Sequence, residues 1–160
     1  MPERERDGRS GPVALDPVDK AILGELQADG RMSYAELGPK VGLSAPATRQ
    51  RVQRLIASGV LQVVGVTDPL RLGLPVMAML GIKAEGDRRA LADRIGAEPA
   101  VIYLVHTAGT FDLLVEVVCR EPSELLDLVN DRIGQLEGVK SVEEMVYLDI
   151  HTHRFDWEVP

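Results

Sequence analysis

The sequence predicts an α+β chain in two parts. An N-terminal winged helix-turn-helix domain is followed by a ferredoxin-like βαββαβ domain. Three observations predict this. Between residues 15 and 60, helical segments are separated by a capping box and a glycine turn. From residue 75 onward, β-branched runs alternate with amphipathic segments in the order strand, helix, strand, strand, helix, strand. Charge divides the same way: the first 60 residues carry a formal +1 and the remainder −8, within a total of −7. That asymmetry suggests two domains with different partners.

A chain of 160 residues with 45% hydrophobic and 4% aromatic content suits one ordinary domain or two small ones. No apolar run is long enough for a membrane helix, so no membrane partner is expected. The charged start, Met1 to Ser10, has no apolar h-region and does not read as a secretory signal. Residues 1–14 read as a disordered tail. The single cysteine, Cys119, forbids an internal disulfide and fits a reducing cytoplasm, the expected location. It sits in a strand-like run and reads as a small buried hydrophobe.

The first domain spans residues 15–60. Asp16 caps a helix with Pro17 in its first turn, and Asp19 complements the positive helix end. Val18, Ile22, Leu23 and Leu26 form its buried stripe, and Gly30 closes it. Ser33-Tyr34-Ala35-Glu36 is a capping box for a short helix carrying Leu37 and Val41. Gly42-Leu43 is a tight turn. Ser44 then caps a third helix, with Pro46 in its first turn and Gly59 just past its end. Val60–Thr67, β-branched and continuous, predicts a strand leaving the motif, and residues 61–74 form strand and linker.

The third helix carries the chemistry. At 100° per residue, Thr48, Val52, Leu55 and Ile56 share one face, and Pro46, Arg49, Gln50, Gln53 and Arg54 the opposite one. Residues 31–60 carry +4, with Glu36 as their one acid. An apolar back with an Arg/Gln front suits the major groove of duplex DNA: Arg reaches phosphates or guanine edges, and Gln pairs with adenine. A solvated surface helix has the same pattern. The DNA-contacting candidates are Ser44, Pro46, Arg49, Gln50, Gln53 and Arg54, with Arg54 reading as a phosphate contact.

The second domain spans residues 75–150. Val76–Ala84 reads as a strand, Asp87–Ala97 as a helix, and Val101–Thr107 and Phe111–Cys119 as a hairpin around Ala108-Gly109-Thr110. A helix starting at Pro122 carries Leu125, Leu126, Leu128, Val129, Ile133 and Leu136, with Gly138 as its stop. Val142–Ile150 reads as the last strand. Two helices cover one sheet face, so something else must cover the other; Met77, Met79, Ile102, Leu104, Leu114, Val118 and Val146 are its candidates. Sheet-to-sheet homo-oligomerisation is the simplest cover. Residues 151–160 are an extension whose Phe155 and Trp157 suit anchoring on a partner subunit.

With these residues in order, the chain resembles the Lrp/AsnC family of transcriptional regulators from Leu15 to Ile150. The opening Leu15-Asp16-x-x-Asp19-x-x-Ile22-Leu23 matches, as do Gly42-Leu43-Ser44, Arg51-Val52-x-Arg54-Leu55 and Ser58-Gly59-Val60-Leu61. Gly109-Thr110-Phe111-Asp112-Leu113-Leu114 resembles the G-x-x-D loop of the family's sensing domain, and Leu136-Glu137-Gly138-Val139 the segment before its last strand. The resemblance implies dimers paired through the sensing domains, often tetramers or octamers, and small effectors, usually amino acids, held between subunits at the loop. The effector candidates are Thr107, Ala108, Gly109, Thr110, Phe111, Asp112 and Glu144. Loop N–H groups would take a carboxylate and Asp112 an ammonium group; a plain turn with a surface Asp is the other reading. Two positions depart from the pattern: Ala108 and Glu144 stand where many members have Thr. A carboxylate at 144 suits a basic or polar effector.

No nucleophile–base pair, phosphate-binding glycine loop or paired cysteine ligands occur, so no catalytic residue, metal or cofactor is assigned. His151 and His153 are two imidazoles with no obvious third ligand. His106, near the loop, is within reach of an effector, but a strand-end histidine is more often hydrogen-bonded and half-exposed. Siroheme decarboxylases look like the same architecture and need histidine and basic residues facing a tetrapyrrole; here the Arg/Gln front and the effector-type loop are intact. An effector-independent DNA-compacting protein is a third reading.

Overall fold

A computed structural model describes residues 13–152. The chain divides into two compact units, with the boundary between Gly65 and Val66. The tail expected over residues 1–14 lies outside the described residues apart from Val13 and Ala14. Phe155, Trp157 and His153 also lie outside them.

The first unit is three helices. Helix α1, Pro17–Ala28, starts with a capping box in which Asp16 accepts from the Asp19 N–H and Asp19 accepts from the Asp16 N–H. Helix α2, Tyr34–Lys40, repeats the device with Ser33 and Glu36. Helix α3, Ala45–Ala57, is capped by Ser44. Gly59, at φ 72°, lets Val60 and Leu61 donate back to the Leu55 carbonyl at 3.1 Å each. Ile22, Leu23, Leu26, Leu37, Val52, Leu55 and Leu61 form the core. Thr48 is fully buried there and donates its hydroxyl to the Ser44 carbonyl at 3.0 Å, so its polar atom is satisfied. Ile56, expected on the apolar face, is exposed.

The turn between α2 and α3 depends on Gly42 at φ 70° and on Gly38. The Leu43 N–H donates to the Gly38 carbonyl at 2.8 Å, and a Cβ at Gly38 would lie 2.6 Å from the Leu43 carbonyl oxygen. Only a glycine lets the helices approach this closely.

The strand expected over Val60–Thr67 does not form. Val63, Val64 and Val66 are exposed, and no strand among the described residues pairs with the run. β-Branched residues favour extended backbone, but a strand exists only with a partner to complete its hydrogen bonds.

The second unit is a four-stranded antiparallel sheet: β1 (Val76–Ala84), β2 (Val101–His106), β3 (Leu113–Cys119) and β4 (Val139–Val146), in the order β2-β3-β1-β4. Helix α4 is Arg88–Gly96, capped by Asp87. Helix α5 is Pro122–Asp127, continuing as a π-wound turn over Leu128–Ile133. With the two helices in sequence this is βαββαβ, as expected. Ala78, Leu80, Ile82, Leu113, Val115, Val117 and Cys119 pack beneath the helices, and burial pushes the Cys119 thiol above its ordinary pKa. The last strand runs earlier than expected, from Val139, and ends at Val146.

The opposite sheet face corrects the expected set. Leu104 pairs with Val115 and Val146 with Ala78, so both point to the helix side. A register shift between Val101 and Tyr103 changes the alternation of β2. Tyr103, Val105 and Met145 therefore join Met77, Met79, Leu114 and Val118 on the open face. In its middle, the Tyr147 hydroxyl donates to Glu116 at 2.9 Å, and burial with that carboxylate pushes the phenol up to about 12.

Gly38→Ala is expected to destabilise the first unit by about 1–3 kcal/mol through overpacking against a backbone carbonyl. Thermal denaturation followed by circular dichroism measures it, with Gly24→Ala, where a Cβ meets nothing, as the tolerated control.

Candidate DNA interface and effector loop

Ser44, the cap of α3, and Pro46, Arg49, Gln50, Gln53 and Arg54 on it are all exposed, away from Val52 and Leu55 in the core. The 3.6-residue period sets this division. Arg54, however, is not a free cation. Its Nη2 lies 2.7 and 2.6 Å from the two carboxylate oxygens of Asp19, whose side chain is only 2% exposed. Arg51 donates to the same carboxylate at 2.9 Å and also to Asp16. Asp16, the cap of α1, and Asp19, in its first turn, thus hold two arginines of α3. Hydrogen bonding from Arg51 lowers the Asp16 pKa, and the aspartates raise that of Arg51. Sequence reasoning missed this because the partners lie 32 to 35 positions apart; Asp19 already had a local explanation at the helix end.

In the second unit, β2 and β3 are joined by residues 107–112. The Thr107 N–H donates to the Asp112 carbonyl at 2.9 Å, and the Thr107 hydroxyl to the Phe111 carbonyl at 2.8 Å. These bonds close the loop and leave Ala108, Gly109 and Thr110 exposed at its tip. Gly109 has φ 142°, which favours glycine. Asp112 faces inward: one carboxylate oxygen accepts from the Ala84 N–H at 2.8 Å, and the other meets Arg88 of α4 at 2.8 Å. Asp112 therefore ties the loop to β1 and α4, and both of its oxygens already have partners.

The Phe111 ring reaches β1 at Gly81. A Cβ at Gly81 would be 2.6 Å from its ring, and Gly81, between Leu80 and Ile82, faces away from the helices. Gly81 pairs with Glu143, so Glu143 shares the face of Phe111. Glu144 does not. It pairs with Leu80 on the helix side and borders a groove of about 230 Å³ with Asn130, Gln135 and Ser141. The loop residues come together; Glu144 stands apart from them within one chain. His106 and His151 are exposed. Among the described residues, no three His, Cys, Asp or Glu cluster as metal ligands, and no helix is long and apolar enough to cross a membrane.

The Asp16 and Glu36 pKa values both lie below their ordinary 3.8 and 4.5, Asp16 chiefly through Arg51 and Glu36 through the Ser33 hydroxyl. A folded pKa below the unfolded one gives stability that is complete above the ordinary value and lost as pH falls through the depressed one. The melting temperature of the first unit is therefore expected to fall as pH drops below about 4, and less steeply in Asp16→Asn, when scanned from pH 6 to pH 3.

Comparison with known proteins gives the same division. A family model for the AsnC-type helix-turn-helix domain matches residues 15–56, and one for the Lrp/AsnC ligand binding domain matches residues 77–156. An uncharacterized HTH-type transcriptional regulator of Pyrococcus abyssi is 31% identical over 91% of this chain and 93% of its own. The leucine-responsive regulatory protein of Rhizobium meliloti is 33% identical over 84% of this chain and 89% of its own. In fold, a Neisseria meningitidis transcriptional regulator in complex with L-Met superposes with a TM-score of 0.80 at 23% identity, covering 92% of this chain and 97% of that one. The chain therefore belongs to the Lrp/AsnC family of DNA-binding transcriptional regulators.

Proposed function

We propose that this regulator reads specific duplex sequences with the exposed front of α3 and adjusts that binding to a small effector, an amino acid, held at the loop of residues 107–112. The observation that carries the reading is the exposed run of Arg49, Gln50 and Gln53 on a helix whose back is locked into a core. Arg49 and Gln50 supply base preference. The chain acts as a regulator rather than an enzyme, in the cytoplasm, and needs neither cofactor nor metal. The open sheet face, with Met79, Tyr103 and Leu114, is covered by a second copy, making at least a homodimer. Two reading helices then address half-sites about one helical turn, or a multiple, apart.

At the loop, the exposed N–H groups around Gly109 receive the effector carboxylate. Asp112, with both oxygens engaged inside the chain, acts mainly as the tie that holds the loop. Acidic partners for an effector ammonium group come from the last strand, from Glu143 or from Glu144, supplied within the chain or by another subunit. The ligand-binding domain match supports a sensing role. The L-Met held by the Neisseria protein supports an amino acid as the class of effector.

Arg49→Ala and Gln50→Ala are expected to cost about 1–3 kcal/mol on a preferred duplex and to relax base preference there, measured by gel shift on sequences selected by the parent. Parent-like affinity in both variants would sink the assignment.

A thermal-shift screen against the twenty amino acids identifies the effector, since a ligand of the folded state raises its melting temperature. Gly109→Val, strained at φ 142°, is expected to remain a folded DNA-binding dimer by light scattering and gel shift while losing that ligand-induced rise. Retention of the full rise would place the ligand elsewhere.

A further inference from the structure

The geometry points to Asp19 as a positioning residue for DNA binding: it holds the Arg54 guanidinium by one nitrogen so that its remaining N–H groups meet a phosphate. The inference rests on the reading that the front of α3 faces the duplex. A guanidinium has five N–H groups. Asp19 engages those of Nη2, which lies 2.7 and 2.6 Å from its two oxygens. Three remain, on Nε and Nη1. The Arg54 side chain is 59% exposed while its anchor is 2% exposed, so the held end is inside and the rest is open to solvent. Among the described residues, Asp19 is the one partner of Arg54.

An unheld surface arginine loses rotamer freedom on meeting a phosphate. Arg54 has already lost much of it, in the folding of α1 against α3. The local charge sharpens the point. Asp16 and Asp19 neutralise Arg51 and Arg54, so this corner of α3 offers phosphate directed donors rather than net positive charge. Arg51 is the structural member, 30% exposed and bound to both aspartates.

Electrostatics alone and positioning predict opposite results for Asp19→Asn. The substitution removes one negative charge near the duplex, and charge alone would tighten binding. Positioning predicts weaker binding, because Asn is uncharged and offers Nη2 one acceptor oxygen in place of two. The test is fluorescence anisotropy of the full chain on one labelled duplex, at fixed salt, for the parent, Asp19→Asn, Arg54→Ala and the double variant. Arg51→Gln removes the other arginine and serves as the stability control.

Asp19→Asn and Arg54→Ala are each expected to weaken binding on the order of tenfold, the worth of one charge-assisted hydrogen bond. The double variant is expected to be no weaker than Arg54→Ala, while Arg51→Gln lowers the melting temperature and stays near parent affinity. Unchanged or tighter binding by Asp19→Asn overturns the inference. So does additive loss in the double variant, or an equal loss in Arg51→Gln, which would mark a purely structural effect. Should Asp19→Asn fail to fold, Asp19→Glu, which displaces the carboxylate by one methylene, takes its place with the same expectation. Arg49→Ala, run alongside, separates the two failures. If it weakens binding while the Asp19 cycle does not, α3 still faces the duplex and only the positioning role falls; if neither does, the placement of α3 falls as well.

Discussion

The carboxylate of Asp19 is the point on which the first unit depends. It sits inside a three-helix core too small to tolerate an unpaired charge, and it is tolerated because two guanidinium groups and the Asp16 N–H converge on it. Removing one partner of a fully buried pair typically costs about 3–5 kcal/mol. Here both arginines reach solvent, which lowers the figure. Its greater effect is geometric. Ile22, Leu37, Val52 and Leu55 pack α3 into the core without direction, and the two arginines add directed bonds from α3 to α1. The place of the Arg54 guanidinium on the front of α3 follows from that carboxylate.

The helices and their ends were legible because their signals are local. Asp16, Ser33 and Ser44 each stand one residue before a helix, and each caps it. The βαββαβ order was legible from alternating periods. What was not legible is long-range. The run from Val60 to Thr67 has the composition of a strand, but composition does not supply a partner. Leu104 and Val146 read in the sequence as candidates for the open face. A single register shift in β2 reverses one, and pairing with Ala78 fixes the other.

The sites show the same limit. Exposure of Arg49, Gln50 and Gln53 follows from the helical period. The engagement of Arg54 does not, because its partner lies 35 positions away. At the loop, the glycine and its φ were foreseeable from a tight hairpin. That Asp112 faces Ala84 and Arg88 rather than solvent was not, since a carboxylate after a turn looks the same in sequence whether it waits for a ligand or holds the turn in place. Glu143 and Glu144 are neighbours in sequence and lie on opposite sheet faces, a distinction that only strand register makes.

The Phe111 ring occupies space that exists only because residue 81 has no side chain. The two positions therefore form one unit of inheritance. A lineage that gains a methyl group at 81 must shrink or turn out the aromatic at 111, and a lineage that keeps the aromatic must keep glycine in the middle of a central strand, where glycine otherwise weakens the sheet. Covariation between 81 and 111, set against the freedom of exposed loop positions such as 110, is the trace that this contact leaves in a set of diverging sequences.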